Sequence, residues 1–311
     1  MILLGTELRP PGERGRDQVV GLAADAGFDG LAIGAWYRRE EALHLVTLAA
    51  ASRLAVAVAG APLLERPLGP GKRLPFLGSL EDPEERRAAA ELIATTIAAA
   101  SPLGIGTFTI SLGDVGLAVA PERLARSFRR GEMDEDEPGG EALAAALDER
   151  RARSAGITDG CRAGLDLVIP AAERTGVTLA IELPAGPWGA PSPREAALLL
   201  DEYREAPLGV VWDQARMSVL RRLGAAPSPE RAARLRAGTR LWRASEAVGV
   251  EIGFLPGQGE PPDETAAIPA SERRVPVVVT GRPDSTLDEL RRARALTRPL
   301  PTPPSGTPNG R

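Results

Sequence analysis

The sequence predicts a single (β/α)8 barrel, and three observations lead there. Short apolar runs alternate with longer helical patterns along the chain, the signature of βα units and a parallel sheet. Eight such runs share one sense of alternation, which favours a closed barrel over an open sheet. The 311 residues, 43% of them hydrophobic, suit one α/β barrel with a sizeable core.

Residues 2–6 read as the first strand and 16–26 as the helix after it. Residues 30–33 are the second strand, followed by a helix over 40–52. The third strand covers 54–59, and after a Pro/Gly-rich loop comes a helix over 83–100. Residues 107–111 are the fourth strand. The acidic, Gly-rich stretch 131–140 (GEMDEDEPGG) then breaks the pattern. Its charge and lack of apolar residues lead us to expect a mobile insertion. Helical sequence resumes over 141–174, with a break expected near 156–160. Strand five is 177–183, with a helix over 193–203, and strand six is 208–213. Strands seven and eight are 239–244 and 275–280, and 285–296 is the closing helix. The barrel thus spans 1–298, and the Pro/Gly/Thr-rich tail, 299–311, is expected to be disordered.

Net charge is −4, so no basic surface is implied, and nucleic acid is an unexpected partner. Only one basic residue is lysine, Lys72, so the many arginines reflect composition first. The single cysteine, Cys161, excludes an internal disulfide and a Cys-rich zinc site, and reads as a small packed residue. The N-terminus MILLGTELRP lacks a basic start and a long apolar run, and no segment has the length of a membrane span. The expectation is a soluble cytoplasmic protein with no membrane partner; its oligomeric state is left open.

Barrel proteins carry their chemistry at the C-terminal ends of the strands. Glu7 follows strand one, Asp114 follows strand four, Glu182 ends strand five and Asp213 ends strand six. Arg243 lies in strand seven, Glu246 just beyond it, and Thr280 ends strand eight. Each alone is as readily a salt-bridged loop residue as a functional one. Carboxylates converging on one mouth need a cation or arginines among them. Trp36 and Trp188 could stack on a ligand or cap loops; Trp212 and Trp242 should face the outer helices by alternation.

Four segments carry a family resemblance. Gly176-Val-Thr-Leu-Ala-Ile-Glu182 is similar to the GV-x-LA-x-E strand of the xylose-isomerase-like sugar isomerases and epimerases. Leu208-Gly-Val-Val-Trp-Asp-Gln-Ala-Arg-Met217 resembles that superfamily's sixth strand, VGV-x-x-D-x-x-H-M. Leu255-Pro-Gly-Gln-Gly-Glu260 resembles its LPG-x-G-E loop, and Ala26-Gly-Phe-Asp-Gly-Leu31 its AGFDG turn. The resemblance implies a barrel whose members hold a divalent metal through a Glu after strand five, an Asp after strand six, a His on strand seven and a Glu after strand eight. Glu182 and Asp213 match the first two; Arg243 stands at the His and Thr280 at or near the last Glu. Arg216 replaces the His of D-x-x-H-M, and Ala32 replaces a Glu at the end of strand two.

The only histidine, His44, belongs to the helix after strand two, so no His-containing metal site can form at the mouth. An all-oxygen Mg²⁺ or Mn²⁺ site from Glu182 and Asp213, with Glu246 or Asp114, stays conceivable beside Arg243. The other arrangement has Arg243, with Arg216, supplying the positive charge that a metal would bring. Three functions are compatible with these residues. The chain binds a small polar or anionic, sugar-like ligand through Arg216, Arg243, Glu246, Glu7, Asp114, Trp36 and Trp188. Alternatively, it is an isomerase, epimerase or lyase with Glu182 and Asp213 as acid–base residues, or a non-catalytic scaffold. An abasic-DNA endonuclease is set aside, because it needs a His-rich multi-metal site and a basic groove.

Overall fold

The computed structural model describes residues 1–8, 13–34, 37–63, 77–78, 82–262 and 275–297. Eight strands run in chain order around a closed, all-parallel barrel. They are β1 (Ile2–Gly5), β2 (Gly30–Ile33), β3 (Ala55–Ala61), β4 (Thr107–Ile110), β5 (Thr178–Glu182), β6 (Leu208–Asp213), β7 (Thr239–Ala244) and β8 (Val277–Val279). Closure is made by β8 on β1, with Ile2 opposite Val277 and Leu4 opposite Val279.

Ten α-helices surround the sheet among the described residues: α1 (Glu13–Ala26), α2 (Arg39–Ala51), α3 (Pro83–Ala100), α4 (Pro121–Arg130), α5 (Pro138–Ala152), α6 (Ser154–Thr175), α7 (Pro193–Glu202), α8 (Gln214–Arg222), α9 (Pro229–Ala237) and α10 (Leu287–Thr297). Their starts are written locally. Asp82 caps α3 by accepting from Glu84 N at 2.9 Å, with Pro83 in the first turn. Ser192 and Glu195 form a reciprocal capping box at α7.

The core has two parts. Inside the barrel, Leu3, Ala32, Val58, Ala180, Val211, Leu241 and Val278 form one apolar layer, a residue from each of seven strands. Between sheet and helices lies the larger core, where Trp212 and Trp242 pack with ring centroids 5.8 Å apart, on the outer face that alternation assigns them. Cys161 is buried in that outer core, and burial pushes its thiol up to about 12, as suits a packed residue. His44 is exposed on α2.

The stretch 131–140, expected as a mobile insertion, takes the form of a hydrogen-bonded turn running from the end of α4 into the first residues of α5. Gly131 takes φ 73° to end α4, Glu132 N donates to Ser127 O at 3.0 Å, and Asp134 N donates to Glu137 Oε2 at 3.0 Å. One acidic side chain, Glu137, thus satisfies a backbone donor of the turn, and backbone carbonyls satisfy others. Two expectations need correction. The helical break falls at Arg153, not 156–160; α6 runs unbroken past those glycines, and of its glycines Gly164 serves close packing, since a Cβ there would lie 2.1 Å from Leu77 O. An antiparallel hairpin, Glu246–Val248 with Glu251–Phe254, follows β7 where no strand was expected. The expected disordered tail, 299–311, lies outside the described residues.

Candidate functional site

One step above the inner apolar layer, strand alternation changes from apolar side chains to charge and glycine. Two residues beyond Ala180, Val211, Leu241 and Val278 stand Glu182, Asp213, Arg243 and Thr280; two beyond Leu3 and Ala32 stand Gly5 and Gly34. The charges thus come from one side of the mouth, and the glycines leave room on the other. Between them is a cavity of about 310 Å³, lined by Glu7, Thr109, Glu182, Asp213, Arg216, Arg243, Ser245 and Thr280 among its polar residues. Its size lies at the low end of small-molecule sites.

The charged residues close into a ring. Arg243 Nη2 donates to Glu182 Oε1 at 2.8 Å, and Arg243 Nη1 to Asp213 Oδ2 at 3.4 Å. Arg216 Nη2 donates to Glu182 Oε2 at 3.1 Å, while its Nε stands 3.4 Å from Asp213 Oδ2 as an ion pair without hydrogen-bond alignment. Arg216 Nη1 is anchored on Leu183 O at 2.7 Å. Asp213 also caps α8, its Oδ1 accepting from Arg216 N at 3.2 Å and from Ser245 Oγ at 3.3 Å. Two carboxylates and two guanidiniums cancel in charge. Burial alone would raise the Glu182 carboxyl, but Arg243 and Arg216 outweigh it and hold Glu182 far below the usual carboxylate range. Burial likewise disfavours the charged Arg243, and Glu182, Asp213 and Glu7 reverse that.

Glu7 enters from the short 3-10 turn after β1, residues 6–8. Its carboxyl occupies the space left by two glycines: a Cβ on Gly5 would lie 2.5 Å from Glu7 Oε2, and one on Gly34 3.1 Å from its carboxyl carbon. Thr6 Oγ1 accepts from Gly34 N at 2.9 Å and fixes that loop.

Of the residues singled out from sequence, Glu7, Glu182, Asp213, Arg216 and Arg243 meet at this cavity, and three do not. Asp114 is exposed in a short two-stranded antiparallel sheet, opposite Gly189, where its Oδ1 accepts from Gly116 N at 2.8 Å. Glu246 is turned into the loop that follows its hairpin, accepting from Gly259 N at 2.7 Å. Trp188 donates its indole N–H to Val119 O at 2.5 Å and lines a separate apolar cavity of about 360 Å³ with Leu124, Val219 and Leu223. Trp36 lies outside the described residues. Sequence reasoning overlooked Thr109 and Ser245. Thr109 had a signal, a polar residue inside an apolar strand; Ser245 had none beyond its place two residues after Arg243.

No protein-family model matches this sequence, and no curated protein does. Solved structures do. A putative xylose isomerase from Rhodospirillum rubrum is 13% identical with a TM-score of 0.64, covering 96% of this chain and 99% of its own. A D-psicose 3-epimerase is 14% identical with a TM-score of 0.63, covering 96% and 98%. The 3-keto-D-glucoside 4-epimerase of E. coli is 14% identical with a TM-score of 0.60, covering 95% and 97%. The chain shares the fold of these structures, a single closed parallel (β/α)8 barrel. Within this barrel, the metal that the sequence resemblance implies does not fit the donor set. All four oxygens of Glu182 and Asp213 already accept from, or pair with, Arg216, Arg243 or Ser245. A dication placed among them would face two permanent cations.

Proposed function

We propose that the barrel mouth binds a neutral, polyhydroxylated, sugar-like molecule without a His-ligated metal. The observation that carries this reading is the closed Glu182–Arg216–Asp213–Arg243 ring beneath a cavity of about 310 Å³. Because the ring is balanced within itself, no free cation is left in it to attract an anion, which favours the neutral over the anionic class. Hydroxyl groups suit the walls, where Thr109, Ser245 and Thr280 offer donors and acceptors beside small apolar residues. Arg243 stands for the metal as the fixed positive charge, and the carboxylates it holds are ligand-orienting acceptors. The fold likeness to sugar epimerases supports the class of ligand, not a particular sugar.

Calorimetric titration with D-psicose and D-fructose, in EDTA and in Mn²⁺, tests the reading. Binding unchanged by EDTA, absent in Arg243→Met, and no heat from Mn²⁺ alone are expected. Stoichiometric Mn²⁺ binding that disappears in Asp213→Ala would overturn it and favour an isomerase or epimerase with an all-oxygen metal site.

A further inference from the structure

Every carboxylate oxygen of the ring is tied, but one carboxyl oxygen at the mouth is not. Glu7 Oε2 is buried and has no hydrogen-bond partner, and no ion pair of Glu7 occurs among the described residues. It lines the same cavity as the ring. A buried acceptor of this kind is costly to leave unmade, and a carboxyl group avoids the cost most simply by carrying a proton or by meeting a donor.

We propose that Glu7 is the proton-carrying residue of this pocket, a neutral carboxylic acid that donates a hydrogen bond to a carbonyl or hydroxyl oxygen of the ligand. The inference rests on the ligand reading above and assigns that ligand an acceptor oxygen facing β1. Three features converge on it. Gly5 and Gly34 hold the carboxyl in a slot that a Cβ would fill, so it is placed rather than stranded. The ring opposite is already neutral, so an ionised Glu7 would leave an unbalanced negative charge at the mouth. The oxygens of Glu182 and Asp213 are all engaged, which leaves Glu7 Oε2 as the free carboxyl oxygen among those lining the cavity.

The charged groups that act on Glu7 are Arg243 on β7, Glu182 on β5 and Arg216 on α8. Burial raises its carboxyl above the ordinary range and Glu182 adds to this, while the arginines and the Glu7 backbone N–H oppose; the net direction is upward.

The first arm of the test needs no ligand. In protein carrying ¹³C-labelled glutamate, one side-chain carbonyl should titrate above the bulk glutamates and vanish in Glu7→Gln. If the resonance lost in Glu7→Gln titrates with the exposed glutamates or below them, the proposal is wrong. The second arm is D-psicose binding measured from pH 5 to 8. Affinity should fall as pH rises through the Glu7 titration. Glu7→Gln, whose amide still donates, should bind within about threefold at low pH and lose the pH dependence. Glu7→Ala should lose roughly tenfold or more. PH-independent binding that Glu7→Ala leaves intact would refute the role while sparing the ligand reading. No ketose binding at any pH, with a high-titrating Glu7, would refute the ligand reading and leave Glu7 as the pocket's acid.

Discussion

Arg243 and Glu182 show how a fixed cation at a strand end sets what a barrel mouth can do. Arginine cannot lose its proton, so once it stands on β7 the neighbouring carboxylates pair with it whether or not a metal is offered. Removing it leaves Glu182 and Asp213 to share the single guanidinium of Arg216, in a site where their side chains are 21% and 4% exposed. Arg243→Met should therefore cost about 3–5 kcal/mol at neutral pH, read by urea denaturation. A loss below about 1 kcal/mol would mean the ring adds nothing beyond its shape. The pH sign follows from Glu182. Its folded-state carboxyl lies below the ordinary value of 4.5, so its stabilisation is complete above that pH and is lost as pH falls below it. Glu7 has the opposite sign. Its raised carboxyl makes the fold lose stability as pH climbs above 4.5, a slope that Glu7→Gln should flatten in thermal melts.

At the scale of elements, α6 carries glycines with two different tasks. Gly156 is exposed and a Cβ there would touch nothing within 4 Å, whereas a Cβ on Gly164 would meet the Leu77 backbone at 2.1 Å. Gly156→Ala should stabilise by about 0.4–1 kcal/mol through chain entropy and helix propensity. Gly164→Ala should destabilise by about 1–3 kcal/mol through overpacking, and equal melting temperatures for the two variants would contradict this packing account. From sequence the stretch 156–160, which begins at Gly156, reads as a helical break, and Gly164 carries no signal of its packing. What a glycine does inside a helix depends on the surface that approaches it, and Leu77 is 87 residues away in the chain. The same limit hid the role of Glu246. Its place after β7 is legible, but the hairpin turns its carboxylate onto Gly259 N and away from the cavity.

For the whole molecule, closure of eight parallel strands brings residues 7, 182, 213, 216 and 243 to one cavity. A barrel built around a dication would gain stability with it; at a hundredfold excess over the dissociation constant the gain is about 2.7 kcal/mol. This barrel should melt at the same temperature in EDTA and in millimolar Mn²⁺ or Mg²⁺ by calorimetric scan. An upward shift of several degrees with either ion would show that the ring opens to admit it.

By itself the sequence determined the βα alternation, the strands 208–213 and 239–244 to the residue, and the helix over 83–100, because periodicity and caps are local properties. It also determined that Glu182, Asp213, Arg216 and Arg243 would share one mouth, since strand ends of a barrel converge. Only the tertiary structure decided that Asp114, Glu246 and Trp188 leave that mouth and that Glu7 Oε2 is left without a hydrogen-bond partner. Glu246 and Trp188 are held by groups 13 and 69 residues away, Gly259 N and Val119 O, and folding, not spacing, brings those into range.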